Sequence, residues 1–224
     1  MPAAPPIVDL RRLLAERFPR AHAPAAPSRP SGQSIGIPQL DSLLGGGLLH
    51  GGITELVGSG NGSGSAQVLH CLLRQVADSG RFLALVDGAD SFDVDAAEAE
   101  VLARLLWVRC CKTDEALKAT DLLLRDRNIP LVVLDLKLNP EHELRRIASS
   151  IWFRFGRLVE HHGTTLLVIT PQSMVGAADL RVQVESRLDL KSVAAGPAVV
   201  VDGLQFQMLR AMVEGGGNER REAG

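Results

Sequence analysis

Apolar residues recur along this chain in two alternating patterns: short continuous runs, and spacings of three and four. Residues 53–57 (ITELV), 82–86 (FLALV), 106–109, 131–136 (LVVLDL) and 165–170 (TLLVIT) are runs of strand length. Between them lie segments with helical spacing. Residues 66–79 carry Val68, Leu69, Leu72, Leu73 and Val76 on one side. Further helices are expected over 96–105, over 113–125 with Thr113 as cap, and over 141–162. Residues 182–190 and 198–208 read as two late strands able to pair antiparallel. Strands alternating with helices predict an α/β fold, a mainly parallel sheet covered by helices on both faces.

Outside this core, spanning 34–213, the pattern changes. Residues 1–20 hold a short amphipathic helix over 7–18, ended by Pro19. Either it packs on its own core or it docks on a partner. Residues 21–33 are rich in Pro, Ala and Ser and are expected to be a linker. Residues 214–224 (EGGGNERREAG) are expected to be a disordered polar tail.

Composition narrows the function. The chain has 224 residues, room for one substantial domain with short extensions, and its 46% apolar content permits a real core. Aromatic content is 4% with no tyrosine, which argues against base-stacking platforms for single strands. A formal net charge of −2 offers no global positive field for DNA. Cys71, Cys110 and Cys111 lack zinc-type spacing and are expected to be reduced packing residues, so no metal site is expected. Without an apolar signal segment or a membrane-length run, a cytoplasmic protein with no membrane contact is expected.

The strand at 53–57 runs into Gly58, Ser59, Gly60, Asn61, Gly62, Ser63, Gly64 and Ser65, then into a helix. That is the context of a phosphate-binding loop, GxxxxGK[ST], whose glycines let backbone N–H groups turn inward while a lysine meets the outer phosphates. Here neither frame supplies the lysine. Counting from Gly58 puts Gly64 in its place; sliding by one puts Ser65 there. The nearest basic residue downstream is His70. Two readings stand: a backbone nest for a weaker anion, or a glycine turn without ligand.

These features together resemble RecA-type recombinase cores. The resemblance begins with residues 35–47 (IGIPQLDSLLGGG) and Gly51-Gly52 ahead of the loop. It continues through 85–93 (LVDGADSFD), the 113–117 helix start, 131–135 ending in Asp135, 165–172 ending in Gln172, and Arg187-Leu-Asp-Leu. It implies Asp135 as a Mg²⁺-serving carboxylate and Gln172 as a phosphate-sensing residue. The nucleotide-binding remnant would be Gly58, Gly60, Gly62, Gly64, Ser65, Asp135 and Gln172. The water-activating glutamate of that family falls on Ala89, flanked by Asp87 and Asp90. Without that acid and the lysine, turnover of ATP is not expected, no catalytic residue is assigned and no cofactor is required; weak ATP and Mg²⁺ binding stays open. Both DNA-contacting loops look short, and 173–181 holds one arginine and no aromatic.

A RecA-like core of this kind, with an N-terminal helix and no large added domain, resembles the ImuA family, accessory factors of damage-induced mutagenic translesion synthesis. The stretches 105–117 (LLWVRCCKTDEAL) and 144–160 (LRRIASSIWFRFGRLVE) sit with that group. The resemblance implies a non-catalytic adaptor of the SOS response. Its implied partners are an ImuB-like inactive Y-family polymerase relative, RecA and an error-prone replicative-type polymerase. A regulatory nucleotide binder and a DNA-binding recombination regulator are the alternatives.

Within 141–162, one continuous helix would bury Leu144, Ile147, Ala148, Ile151, Phe155, Leu158 and Val159 and turn Arg146, Phe153 and Arg157 outward. An outward aromatic between arginines is a partner-binding pattern. The plainer reading covers Phe153 with another part of the chain. His161 and His162 are expected to mark the helix C-terminus.

Overall fold

The apolar runs fold as neighbouring parallel strands in the computed structural model, which describes residues 32–60, 62–186, 201 and 203–211. Contacts divide the chain into Met1–Pro30 and Ser31–Gly224, and every described residue belongs to the second unit. The expected helix at 7–18, most of the linker, residues 187–200 of the late strands and the tail lie outside the described residues. Gln33, expected in the linker, exchanges backbone hydrogen bonds of 2.9 and 2.8 Å with Leu48 and so belongs to the fold.

The strands are β1 (Ile53–Gly58), β2 (Leu83–Asp87), β3 (Leu105–Arg109), β4 (Leu131–Asp135), β5 (Thr165–Thr170), β6 (Leu180–Ser186) and β7 (Leu204–Arg210). They form one seven-stranded sheet in the order β3-β2-β4-β5-β1-β6-β7. All neighbours are parallel except β6 and β7, which pair antiparallel as expected. β1, β2 and β5 are buried at every position, and β4 at all but Asp135. That is why their sequences read as continuous apolar runs rather than alternations. β6 alternates instead, burying Val182 and Val184.

Helices cover both faces. One face holds α1 (Pro38–Leu43) and α2 (Ser65–Asp78), whose Leu40, Val68, Leu69, Leu72, Leu73 and Val76 pack over Leu56, Leu85, Val133 and Leu167. The other holds α4 (Thr113–Asp126) and α6 (Ser149–His162), with Ala116, Leu117, Leu124, Trp152, Phe155 and Val159 over Val86, Val132, Leu134 and Val168. Between β2 and β3 the expected helix over 96–105 shrinks to a 3-10 turn (Val94–Ala96) and the short α3 (Ala99–Leu102). α1 has Pro38 in its first turn, and Asp41 folds back to accept from the Ser34 hydroxyl at 2.6 Å and the Ile35 N–H at 2.8 Å.

The expected helix over 141–162 is two helices. α5 (Glu141–Leu144) ends, Ala148 is extended at φ −66 and ψ 136, and α6 starts at Ser149. Ala148 is exposed, and Trp152 takes a buried place that the continuous-helix phase withholds from it. Ser149 and Ser150 favour a helix start over its interior, which is where the break falls. Thr113 is not the cap of α4: Lys112 holds that position, and Glu143 accepts the Thr113 N–H at 2.9 Å.

The strongest polar constraint sits in β1. Glu55 is fully buried. One of its oxygens accepts the Thr170 hydroxyl at 3.1 Å and the N–H groups of Met174 at 2.7 Å and Val175 at 3.1 Å. The other accepts from Arg181, whose remaining nitrogen donates to the Val175 carbonyl at 2.9 Å. Replacing Glu55 with Ala leaves Arg181 and two N–H groups without their acceptor. In urea unfolding, E55A is expected to lose about 3–5 kcal/mol. The double variant E55A/R181M should regain part of that loss; a single variant that unfolds at the wild-type midpoint would contradict this account.

Candidate functional site

Parallel strands bring their carboxyl ends to one side of a sheet, where ligand sites of such folds lie. At that side β1 opens into the glycine loop and α2 begins. Gly60 (φ 71), Gly62 (φ 71) and Gly64 (φ 93) are all left-handed. Gly64 is the N-cap of α2 and has no side chain to cap the helix, whose first turn carries no acidic residue. The free N–H groups and the positive end of the helix dipole therefore face the loop. A Cβ at Gly64 would collide with Leu204 of β7, so glycine is required there twice over. Ser65 opens the helix, in the frame that sets Ser65 at the lysine position.

Two polar groups enter the loop. The Ser63 hydroxyl is buried, with 6% of the residue exposed, and among the described residues it has no hydrogen-bond partner. It rests on Gly58, where an added Cβ would strike it. The second group is Lys137, whose Nζ donates to the Gly60 carbonyl at 2.8 Å and would lie 3.4 Å from a Cβ on Gly58. Sequence reasoning expected no cation at this loop, and Lys137 corrects that expectation. It comes from the turn after β4, reaching past the end of β5. Partial burial pulls its ammonium below the usual lysine range, and the charge of Asp135 opposes that shift. His70 does not serve: it stacks on Phe92 with centroids 5.7 Å apart, and burial lowers its pKa. The signal for Lys137 was its position two residues beyond a strand end on the loop's side of the sheet.

The carboxylates at this end are largely committed. Asp87 is buried and accepts from Ser91 N–H (3.0 Å), the Ser91 hydroxyl (3.3 Å), Phe92 N–H (2.8 Å) and Trp107 Nε1 (3.3 Å). Asp90 is held by Arg109 through two bonds of 2.6 and 2.7 Å. Ala89, between them, has no acid to offer. Asp135 pairs in register with Asp87 and accepts the Lys137 N–H at 2.9 Å, a turn two residues long. Burial, only partly offset by that N–H, pushes its pKa to about 6. Gln172 is exposed, two residues past Thr170, which pairs with Val57 of β1.

The segments resembling DNA-contacting loops are tied down. Asn139 is buried and donates to the Gly88 carbonyl at 2.9 Å and Thr113 Oγ1 at 3.0 Å, which holds 136–140 against the start of α4. Arg181, the arginine of 173–181, belongs to Glu55. Among the described residues, no cluster of three or more His, Cys, Asp or Glu could hold a metal ion. A cavity of about 150 Å³ lies at the opposite, amino end of the strands, lined by His50, Arg81, Phe82, Leu131 and Thr165. It is far from the loop chemistry.

The partner-binding candidates are not brought together as expected. Phe153 is 57% exposed, and Arg157 is exposed with it on α6. Arg146 is exposed but sits in the turn before Ala148, outside that helix. Arg154 pairs with Asp121 of α4 at 2.8 Å and Arg145 with Glu141 at 2.6 Å. Leu122, beside Asp121 on α4, is also exposed, at 68%. Cys110 is buried, Cys71 half-buried and Cys111 exposed, all as free thiols. His161 and His162 do end α6 before a left-handed Gly163. Burial and nearby Arg127 hold the His162 imidazole below its usual range.

Because Asp135 binds its proton more tightly in the fold than its ordinary 3.8, its ionisation works against folding. The sign follows: this group favours the folded state most below pH 4, and that contribution declines as pH rises to about 6. Asp135→Asn keeps an acceptor for Lys137 and removes the charge. At pH 8 it is expected to unfold about 1–3 kcal/mol later than wild type, with the gap closing below pH 4. Denaturant titrations across that range measure it; a variant less stable at pH 8 would refute the assignment.

No protein-family model matches the chain, and no curated protein sequence matches it. Among solved structures it is similar to the crystal structure of the RadB recombinase, with a TM-score of 0.56 and 20% identity, covering 70% of this chain and 84% of that one. At this identity the likeness speaks for the fold alone, and with the sheet order it shows a RecA-like α/β core.

Proposed function

We propose that the chain is a non-catalytic RecA-like adaptor of a translesion-synthesis complex in the DNA-damage response, as its resemblance to ImuA implies. The observation that carries this reading is the commitment of the acids beside the loop. Ala89 stands where a water-activating glutamate is expected, Asp87 is saturated by four donors, and Asp90 is bound to Arg109. A carboxylate that already accepts several hydrogen bonds is a poor base for a water molecule. α2 also offers no lysine in its first turn. The committed Arg181 and the anchored 136–140 segment argue against filament-style DNA contact.

The adaptor's docking face, in this reading, is the pair α4 and α6. They are joined by Arg154 and Asp121, and each exposes a large apolar side chain, Leu122 and Phe153. Aromatic side chains next to arginine are what interface hot spots use. The partners are an ImuB-like inactive polymerase relative, RecA and an error-prone replicative-type polymerase.

Purified chain with Mg-ATP is expected to release phosphate at the no-protein background. Turnover above background that Asp135→Asn abolishes would end the non-catalytic reading. Phe153→Asp is expected to weaken capture of the ImuB-like partner about tenfold or more, with an unchanged circular dichroism spectrum. Capture at the wild-type level would remove this face, and a chain that fails to fold would make Phe153 a core residue.

A further inference from the structure

We propose that the cavity at the amino end of the sheet is a binding site for an apolar carboxylate, with the ligand's apolar group inside and its carboxylate held at the mouth by Arg81. The site goes beyond the adaptor reading, since its described lining includes no residue of α4 or α6.

The cavity arises where three strand starts carry unequal side chains. Leu83, Leu131 and Thr165 stand in one row across β2, β4 and β5. Partners in register on parallel strands point to the same face of the sheet, here the face that α2 covers. Leu83 and Leu131 fill their places in that core. Thr165 is buried too, but it is shorter and brings a hydroxyl in place of a methyl group. Val76 in the last turn of α2, Phe82 and Leu131 complete an apolar wall around the space that remains. A volume of about 150 Å³ accepts a group the size of a benzene ring.

The mouth carries hydrogen-bond donors. Arg81 is exposed, and its Nε donates to the Ser79 hydroxyl at 3.3 Å. Arg104 lies over the Phe82 ring at 5.0 Å, and Phe82 is left 50% exposed beside it. Among the described residues no carboxylate forms a salt bridge with either arginine. Gln33 spends one amide hydrogen on the Ser34 carbonyl at 2.8 Å and keeps the other, and His50 adds a ring N–H. None of the described lining residues is acidic.

These two halves select the ligand together. A neutral hydrocarbon would fill the interior and leave the guanidinium without a counter-charge. A bare inorganic ion would meet the guanidinium and leave the apolar wall uncovered. An apolar group bearing one carboxylate satisfies both, because a guanidinium grips the two carboxylate oxygens through paired N–H groups. Such a group is a small free acid or the carboxyl-terminal residue of a polypeptide.

An NMR titration of the full chain with 3-phenylpropionate tests the site. Wild type is expected to bind saturably, with the amide resonances of Gln33, His50, Phe82 and Thr165 shifting and affinity falling as salt is added. 3-Phenylpropionamide keeps the ring and loses the charge, and is expected to bind about tenfold more weakly or worse. Absence of saturable binding overturns the proposal, as do shifts confined to other regions or equal affinity for acid and amide. Those three readouts use the unaltered chain and depend on no variant folding. Arg81→Gln is expected to weaken binding of the acid about tenfold and to leave binding of the amide unchanged. A folded Arg81→Gln chain that binds the acid as wild type does also overturns the site. A parallel titration with N-acetylphenylalanine separates the sources. Tighter binding than 3-phenylpropionate means that the preceding peptide group is read and the ligand is a polypeptide end. Equal or weaker binding means a small acid, and either result sustains the carboxylate site. A chain that captures its partners through Phe153 yet takes up no 3-phenylpropionate would sink this proposal and leave the adaptor reading standing.

Discussion

The end of the sheet that carries the loop is organised by one buried charge. Glu55 lies in the middle of β1, fully buried from solvent, so its carboxylate must be satisfied by the fold itself. It gathers a hydroxyl from β5, two N–H groups from the turn beyond, and the guanidinium of β6. Those groups belong to the strands on either side of β1 and to their connection. The turn after β5 is consequently fixed against β1, three residues before Gly58. A buried ion pair of this kind adds little net stability over apolar packing, yet it tolerates few alternative arrangements. It also removes Arg181 from service. An arginine that looks available for nucleic acid in the sequence is spent on the interior.

The same economy governs the other charges at that end. Asp87 organises the turn after β2 and receives the Trp107 indole; Asp90 holds Arg109, which lies over the Trp107 ring at 4.9 Å. Glu143 caps α4, and Asn139 ties the β4 turn to Gly88 and Thr113. Each polar side chain thereby does a structural task that leaves it poorly disposed for chemistry. What is left over among the described residues is small and specific: the Ser63 hydroxyl with no partner, a lysine that forms no salt bridge, and a carboxylate whose pKa burial raises to about 6.

The sheet was legible because fully buried parallel strands leave the plainest trace a sequence can carry, an uninterrupted apolar run bounded by turns. LVVLD and TLLVIT needed no partner information to be read. α1 was not legible, since six residues are too few for a helical period to show, though Pro38 marked its start. The break before Ser149 was hidden because Leu144, Ile147 and Ile151 keep helical spacing straight through it. Glu55 read as one polar residue in a strand; its partner lies 126 positions away, beyond any local pattern. The glycine loop was found from spacing alone, but its cation was not. The search for a lysine followed the chain into α2, whereas the sheet delivers one sideways from β4.

That sideways delivery has a physical consequence. A lysine on the helix would move with the loop and with nothing else. Lys137 instead stands two residues from Asp135, which accepts its backbone N–H at 2.9 Å, while Asp135 lies in register with Asp87. The loop's cation and the carboxylates of the neighbouring strands thus share one short turn. Lys137 lowers the proton affinity of Asp135, and Asp135 raises that of Lys137. Through this turn the loop's cation and the carboxylate at the end of β4 act on each other, although the sequence separates Lys137 from Gly60 by 77 positions.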